Sequence, residues 1–203
     1  MTKNSGNSGK FIAFEGLDGS GSSTQVNMLA DYFSKKGIKA HATKEPTNNL
    51  IGGLIRGQLT NHWKSSQICF QLLFSADRAH HLETEIEPSL SKGNVVITDR
   101  YMYSTFAFGP VEGPDMEWLE QINSKFRKPD LTILLKVPPK ECVKRIDASR
   151  HNIELFEKED KLTKVWANYE KIAKKYPNII IIDGNRQKED IHKDIINEVE
   201  KII

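Results

Sequence analysis

Gly16 and Gly21 are separated by four residues, and a hydroxyl follows at Ser23. They stand between a short apolar run, 11–14, and a stretch of helical spacing. Glycines at such a turn let backbone N–H groups crowd round a polyphosphate, and the helix N-terminus beyond adds partial positive charge. Gly19, Ser20, Ser22 and Thr24 complete the segment. A hydroxyl at the position of Ser23 is placed to hold a Mg²⁺ ion. The G-x-x-x-x-G-K-[ST] pattern is met everywhere except position 22, where serine replaces lysine.

A second group with chemical capacity is Asp99-Arg100-Tyr101, at the end of the branched run 94–98. A carboxylate ending an apolar strand in the same sheet as such a loop can hold Mg²⁺, often through water. The same Asp could instead cap the following helix. Arg100 offers a planar fork suited to phosphate, and a structural ion pair is its other reading.

With these residues in view, the chain resembles the thymidylate kinases, of the nucleoside-monophosphate kinase group within the P-loop fold. The resemblance rests on Phe14-Glu15-Gly16-Leu17-Asp18-Gly19-Ser20-Gly21, Lys44-Glu45-Pro46-Thr47 and Leu72-Leu73-Phe74-Ser75-Ala76-Asp77-Arg78. It rests also on the segment from Asp99 to Phe108, and it covers most of the chain, from Phe11 to about Ile182. It implies transfer of the γ-phosphoryl group of ATP to dTMP with Mg²⁺ held by Ser23 and Asp99. It also implies that Phe74 stacks on thymine, Arg78 binds its exocyclic oxygen and Asp18 meets the sugar 3′-hydroxyl. Arg56 and Arg100 would hold the acceptor phosphate, and Glu45, Ser104 and Phe108 would line its pocket. Plain core packing is the other reading of Phe74, and a strand-ending turn that of Glu45-Pro46.

Two further readings stand beside this one, and the serine at position 22 counts for the first of them. A binding protein could keep the pockets and lose turnover. A deoxynucleoside kinase would need a carboxylate base beside a sugar hydroxyl, and two arginines assigned to an acceptor phosphate count against it. Kinases of this group close a lid over the donor, and many carry a lid arginine. Residues 142–157 include Arg145 and Arg150, so either or both are expected to take on part of the lysine's work. A solvated helix face is the alternative for both.

Positioning these groups requires a sheet. Strands are expected from 11 up to the glycine turn and at 38–43, 94–98, 131–137 and 179–182. Helices are expected after the loop (Val26, Leu29, Ala30 and Phe33, with Gly37 as C-cap), at 50–59, 66 to about 90, 116–126, from near 140, at 156–176, and through Ile191 to Ile202. Apolar strands alternating with helices give an α/β fold with a parallel sheet covered on both faces, and ligands in such folds sit at the carboxyl ends of strands. The resemblance makes this a three-layer α/β/α P-loop domain, residues 10–203, with a five-stranded sheet and a short lid at about 142–157. Residues 1–9 read as a polar, flexible leader.

The 203 residues suit one well-packed domain, with 38% hydrophobic and 28% charged residues as in ordinary globular chains. A net charge of +2 without a long basic run gives no footing for a nucleic-acid partner. No apolar run approaches a membrane span, so a cytoplasmic setting is expected. Cys69 and Cys142 lack metal-ligand spacing and read as buried free thiols. Family members form homodimers through helices beside the acceptor site, and the same is expected here.

Overall fold

The computed structural model describes residues 9–149 and 159–203. Five strands form one parallel sheet: β1 (Phe11–Gly16), β2 (Ala40–Lys44), β3 (Val95–Asp99), β4 (Leu131–Lys136) and β5 (Ile179–Asp183). Their spatial order is β2-β3-β1-β4-β5, which puts β1 at the centre between β3 and β4. β1 is buried at every position, as a central parallel strand must be.

Helices cover both faces. Facing one side, α1 (Ser22–Lys35) packs Val26, Leu29 and Phe33 against Ile12, Phe14, Ile97 and Ile133. The C-terminal helix, Lys188–Val199, adds Ile191, Ile195 and Val199 to that layer. On the other side α2 (Leu50–Leu59) and α3 (Gln67–His81) lead into a π-helical turn, Leu82–Ile86, and α4 (Glu87–Ser91). They are followed by α5 (Met102–Glu112), α6 (Met116–Asn123), α7 (Pro139–Ser149) and α8 (Glu159–Lys175). The C-terminal helix is α9. Tyr101, Tyr103, Phe106, Leu162, Val165 and Tyr169 form the second core with Phe11, Ala13 and Val96. The arrangement is the three-layer sandwich expected.

Several boundaries differ from the pattern reading. β2 begins at Ala40, two residues late, because Gly37 to Lys39 are used by the turn that leaves α1: Ile38 N–H donates to Phe33 O at 2.9 Å. The helix expected over 66 to 90 is α3 and α4 joined by the π turn, with Ser66 accepting from Cys69 N–H as N-cap. α5 carries no amphipathic signal because it is apolar nearly all round, as a helix buried between α8 and β1 has to be. α6 stops at Asn123, three residues early. Cys142 is buried, which pushes its thiol up to about 12, but Cys69 is exposed. It lies on α3 beside Ile68 and Leu72, also exposed, so that apolar stripe is not covered within the chain. Residues 1–8 of the expected leader and 150–157 of the expected lid lie outside the described residues.

Candidate active site

The carboxyl ends of β1, β2 and β3 open into a cleft of about 760 Å³. The glycine turn between β1 and α1 forms one end. Gly21, the residue before the helix, has φ of 92°, and Gly19 has φ of 80°. At Gly19 even a Cβ would meet Cys142 O at 2.6 Å, so the backbone of α7 admits no side chain there. Ser20, Gly21, Ser22, Ser23 and Thr24 line the cleft, while Gly16 lies buried beneath them and offers its carbonyl to Arg100.

Ser23, at the start of α1, donates its hydroxyl to Asp99 Oδ2. Asp99 Oδ1 is buried and has no partner. Arg100 follows with φ of 69°, a left-handed conformation that costs a non-glycine residue of order 1 kcal/mol or more and clusters at functional sites. That twist turns its guanidinium toward the loop: Nη1 donates to Gly16 O at 3.1 Å and Ser104 Oγ at 2.9 Å, and Nη2 to Asp18 Oδ1 at 2.5 Å. The Phe108 ring lies 5.1 Å from Arg100 Cζ.

The far end of the cleft is built by α2, α3 and α5. Phe74 lines it from α3, its ring edge-on to Phe70 at 4.9 Å. Arg78, one turn on, is only 1% exposed. Its Nε and Nη2 donate to Glu45 Oε2 at 3.0 and 2.8 Å, Nη1 to Asn123 Oδ1 at 2.5 Å, and Nη2 also to Thr105 Oγ1 at 3.1 Å. Glu45 Oε1 meets His81 Nδ1 at 3.1 Å, and His81 Nε2 meets Thr43 Oγ1 at 2.8 Å. The turn after Glu45 is pinned by Asp77, whose carboxylate accepts from Thr47 N–H at 2.8 Å and from its hydroxyl at 2.6 Å. Arg56 reaches the carbonyls of Thr47 and Pro46. Arg145 borders the cleft from α7, with Nη1 3.4 Å from Gly19 O and Nη2 3.1 Å from Asn185 Oδ1. Arg150 lies outside the described residues.

The description "Thymidylate kinase" belongs to the family model that matches residues 14–195. The chain belongs to the thymidylate kinase family. Among its relatives, the probable thymidylate kinase of Pyrococcus horikoshii is 44% identical over 194 residues, covering 93% of this chain and 94% of that one. The probable thymidylate kinase of Thermococcus onnurineus is 42% identical over 198 residues, 94% and 97% of the two chains. The solved thymidylate kinase of Candida albicans superposes with a TM-score of 0.77 at 28% identity, covering 95% of this chain and 92% of that one. The fold of this thymidylate kinase family chain is therefore that of the P-loop NTPases.

Sequence reasoning assigned no role to a layer beneath the site. Glu15 is 1% exposed in the central strand. Its Oε1 accepts from Tyr101 N–H at 3.0 Å and Ser104 N–H at 3.1 Å, and its Oε2 bonds the hydroxyls of Ser104 at 2.6 Å and Tyr169 at 2.9 Å. Burial outweighs these bonds and pushes the carboxyl up to about 7. Glu15 thus ties the glycine turn, α5 and α8 together behind Arg100. A charged residue ending an otherwise apolar strand, Phe-Ile-Ala-Phe-Glu, was the available signal. Asn123, Thr105, His81 and Asp77 gave none, because their role comes from partners 27 to 45 residues away.

Proposed function

We propose that this chain transfers the γ-phosphoryl group of ATP to dTMP, giving ADP and dTDP, with Mg²⁺. The observation that carries the reading is a single cleft of about 760 Å³ with the glycine turn at one end and Phe74 and the buried Arg78 at the other. In the transfer, the bond from the γ-phosphorus to the β–γ bridging oxygen breaks. A bond forms to an oxygen of the acceptor 5′-phosphate, and the negative charge passes to the β-phosphate of ADP. The nucleophile is already anionic, so alignment and positive charge do the work rather than a general base.

The residues fit a Mg²⁺ ion. Asp99 keeps a buried oxygen without a partner beside the Ser23 hydroxyl, a donor set of the hard-oxygen type that Mg²⁺ takes with phosphates and water. Bound there, the ion would neutralise phosphate charge. The amides from Gly19 to Thr24 would grip the ATP phosphates. Arg100 and Arg56 would hold the acceptor phosphate, Ser104 and Phe108 would wall it, and Asp18, oriented by Arg100, would meet the 3′-hydroxyl. Phe74 would stack on the thymine. Of the five N–H donors of Arg78, four are used internally, which leaves one for a base carbonyl and none to suit an amino group. Glu45 holds Arg78 in that orientation.

The two carboxylates nearest the acceptor end, Asp18 and Glu45, are each engaged by an arginine. Neither is free to act as base on a sugar hydroxyl, which disfavours the deoxynucleoside kinase reading. Arg145, against the Gly19 carbonyl, contributes charge on the α7 side of the loop, and Arg150 would join it from the lid. Exposed Leu50, Leu54, Ile68 and Leu72 on α2 and α3 supply an apolar surface for a homodimer. Among the described residues no helix is long and apolar enough to cross a membrane, and a cytoplasmic setting suits the reaction. The decisive experiment incubates the chain with ATP, Mg²⁺ and each nucleoside monophosphate in turn. ADP release dependent on dTMP is expected; none with dTMP would leave the binding-protein reading.

A further inference from the structure

The glycine turn of this chain presents Ser22 where its pattern calls for an ammonium group, and the cleft contains a lysine close by. Lys44 is the last residue of β2 and pairs in register with Asp99 of β3. Side chains alternate along a strand, and the alternation here is fixed at both ends. Ala40 packs into the layer covered by α1, and Thr43 turns the opposite way to His81 and Glu85. Lys44 therefore shares Asp99's face, the one from which Asp99 reaches Ser23 at the start of α1. Lys44 borders the same cleft as Ser22, Ser23 and Asp99, and it is exposed.

The other cations of the cleft are committed. Arg78 is paired with Glu45, Arg100 with Asp18 and Arg186 with Asp194. Arg56 is held by backbone carbonyls, and Arg145 by Gly19 O and Asn185. Lys188, at the α9 end, has Glu189 at 3.8 Å. Among the described residues the Lys44 ammonium group has no hydrogen bond or ion pair, and even the carboxylate of Asp99, its register neighbour, does not form one with it. A flexible stem carrying a point charge can follow a phosphoryl group as it moves, which a guanidinium fixed by carbonyls cannot do.

We infer that Lys44 supplies the cation missing from position 22, placing its ammonium group against the γ-phosphoryl oxygens from the β2 side of the Ser23–Asp99 pair. The inference rests on the phosphoryl-transfer reading above and assigns within it a catalytic residue at the end of β2, where the usual one stands at the start of α1.

The test uses the full chain with ATP, Mg²⁺ and dTMP. Lys44→Ala is expected to lower kcat by about a hundredfold, as loss of one preorganised donor does, with KM for dTMP and the melting temperature near the parent's. Adding Ser22→Lys to Lys44→Ala should restore at least tenfold of that loss, a rescue that a structural role for Lys44 would not show. Lys44→Ala turnover within about twofold of an active parent, or no rescue by Ser22→Lys, overturns the inference while leaving the kinase reading intact. If the parent itself releases no ADP with dTMP, the kinase reading fails, and calorimetric binding of a non-hydrolysable Mg·ATP analogue decides on Lys44. Binding weakened tenfold or more by Lys44→Ala supports it, and unchanged binding overturns it.

Discussion

Arg100 Nη2 stands 2.5 Å from Asp18 Oδ1, bridging the end of β3 to the glycine turn after β1. The same guanidinium takes the Gly16 carbonyl and the Ser104 hydroxyl. Three partners in three directions match a fork and not a point charge. Arg100→Lys should therefore lower kcat/KM for dTMP by about a hundredfold or more, in the range of losing one preorganised donor. Steady-state kinetics with varied dTMP checks this; a loss under threefold would mean that charge alone suffices.

Phe74 offers the cleft an aromatic face from α3. Stacking of this kind contributes about 1 kcal/mol beyond the area it covers. Phe74→Leu keeps most of the packing against Phe70 and removes the flat ring. KM for dTMP should rise roughly fivefold or more, with KM for ATP unchanged. Equal changes in both would place Phe74 in the core and not in the base pocket.

Glu45 and Arg78 form an ion pair with both side chains almost wholly buried. Removing one partner leaves an uncompensated charge and costs about 3–5 kcal/mol. Glu45→Ala should lower the melting temperature by roughly 10 °C, since about 1 kcal/mol moves a domain of this size by 2–4 °C. Thermal unfolding followed by circular dichroism measures it, and a drop below about 3 °C would show that water reaches Arg78.

Glu15 sets a pH dependence of stability. Its folded-state carboxyl lies near 7, above the ordinary value of 4.5, because burial disfavours its charged form. Between those values the native state holds a proton that the unfolded chain has released. Stability from this group is therefore largest below pH 4.5 and is lost as pH rises toward 7. The loss amounts to a few kcal/mol at most, since a tenfold difference in proton affinity corresponds to roughly 1.4 kcal/mol. Glu15→Gln, which cannot titrate, should flatten the slope of urea-unfolding free energy across that window. A slope equal to the parent's would assign the dependence to other groups.

What the sequence revealed was local. The glycine turn is legible because its residues are consecutive, and β1, β3 and β4 because fully buried parallel strands read as unbroken apolar runs. α5 was not legible: a helix apolar all round carries no period, and Gly109-Pro110 near its end reads as a breaker. At the site, Phe74 and Arg78 could be named from one helix, but Asn123 and Thr105, which fix Arg78, come from α6 and α5. Glu15 was visible as a charged residue in a buried strand, yet its partner Tyr169 lies 154 residues further on. Lys44 likewise depends on which strand lies beside β2, a matter of sheet order that no spacing encodes.

The wider turn at Leu82–Ile86 also fixes how α3 and α4 share one rod. A π turn inserts about one extra residue, and one residue in a helix is roughly 100° of rotation. Upstream of the insertion, Arg78 and His81 look toward Glu45; at its last residue and beyond, Ile86 and Leu90 look into the layer of Phe11 and Val96. The rod is thus spliced from two phases, one keyed to the nucleotide end and one to the sheet. Deleting a single residue from the splice would force both halves into one phase, so that either the base pocket or the hydrophobic layer loses its side chains.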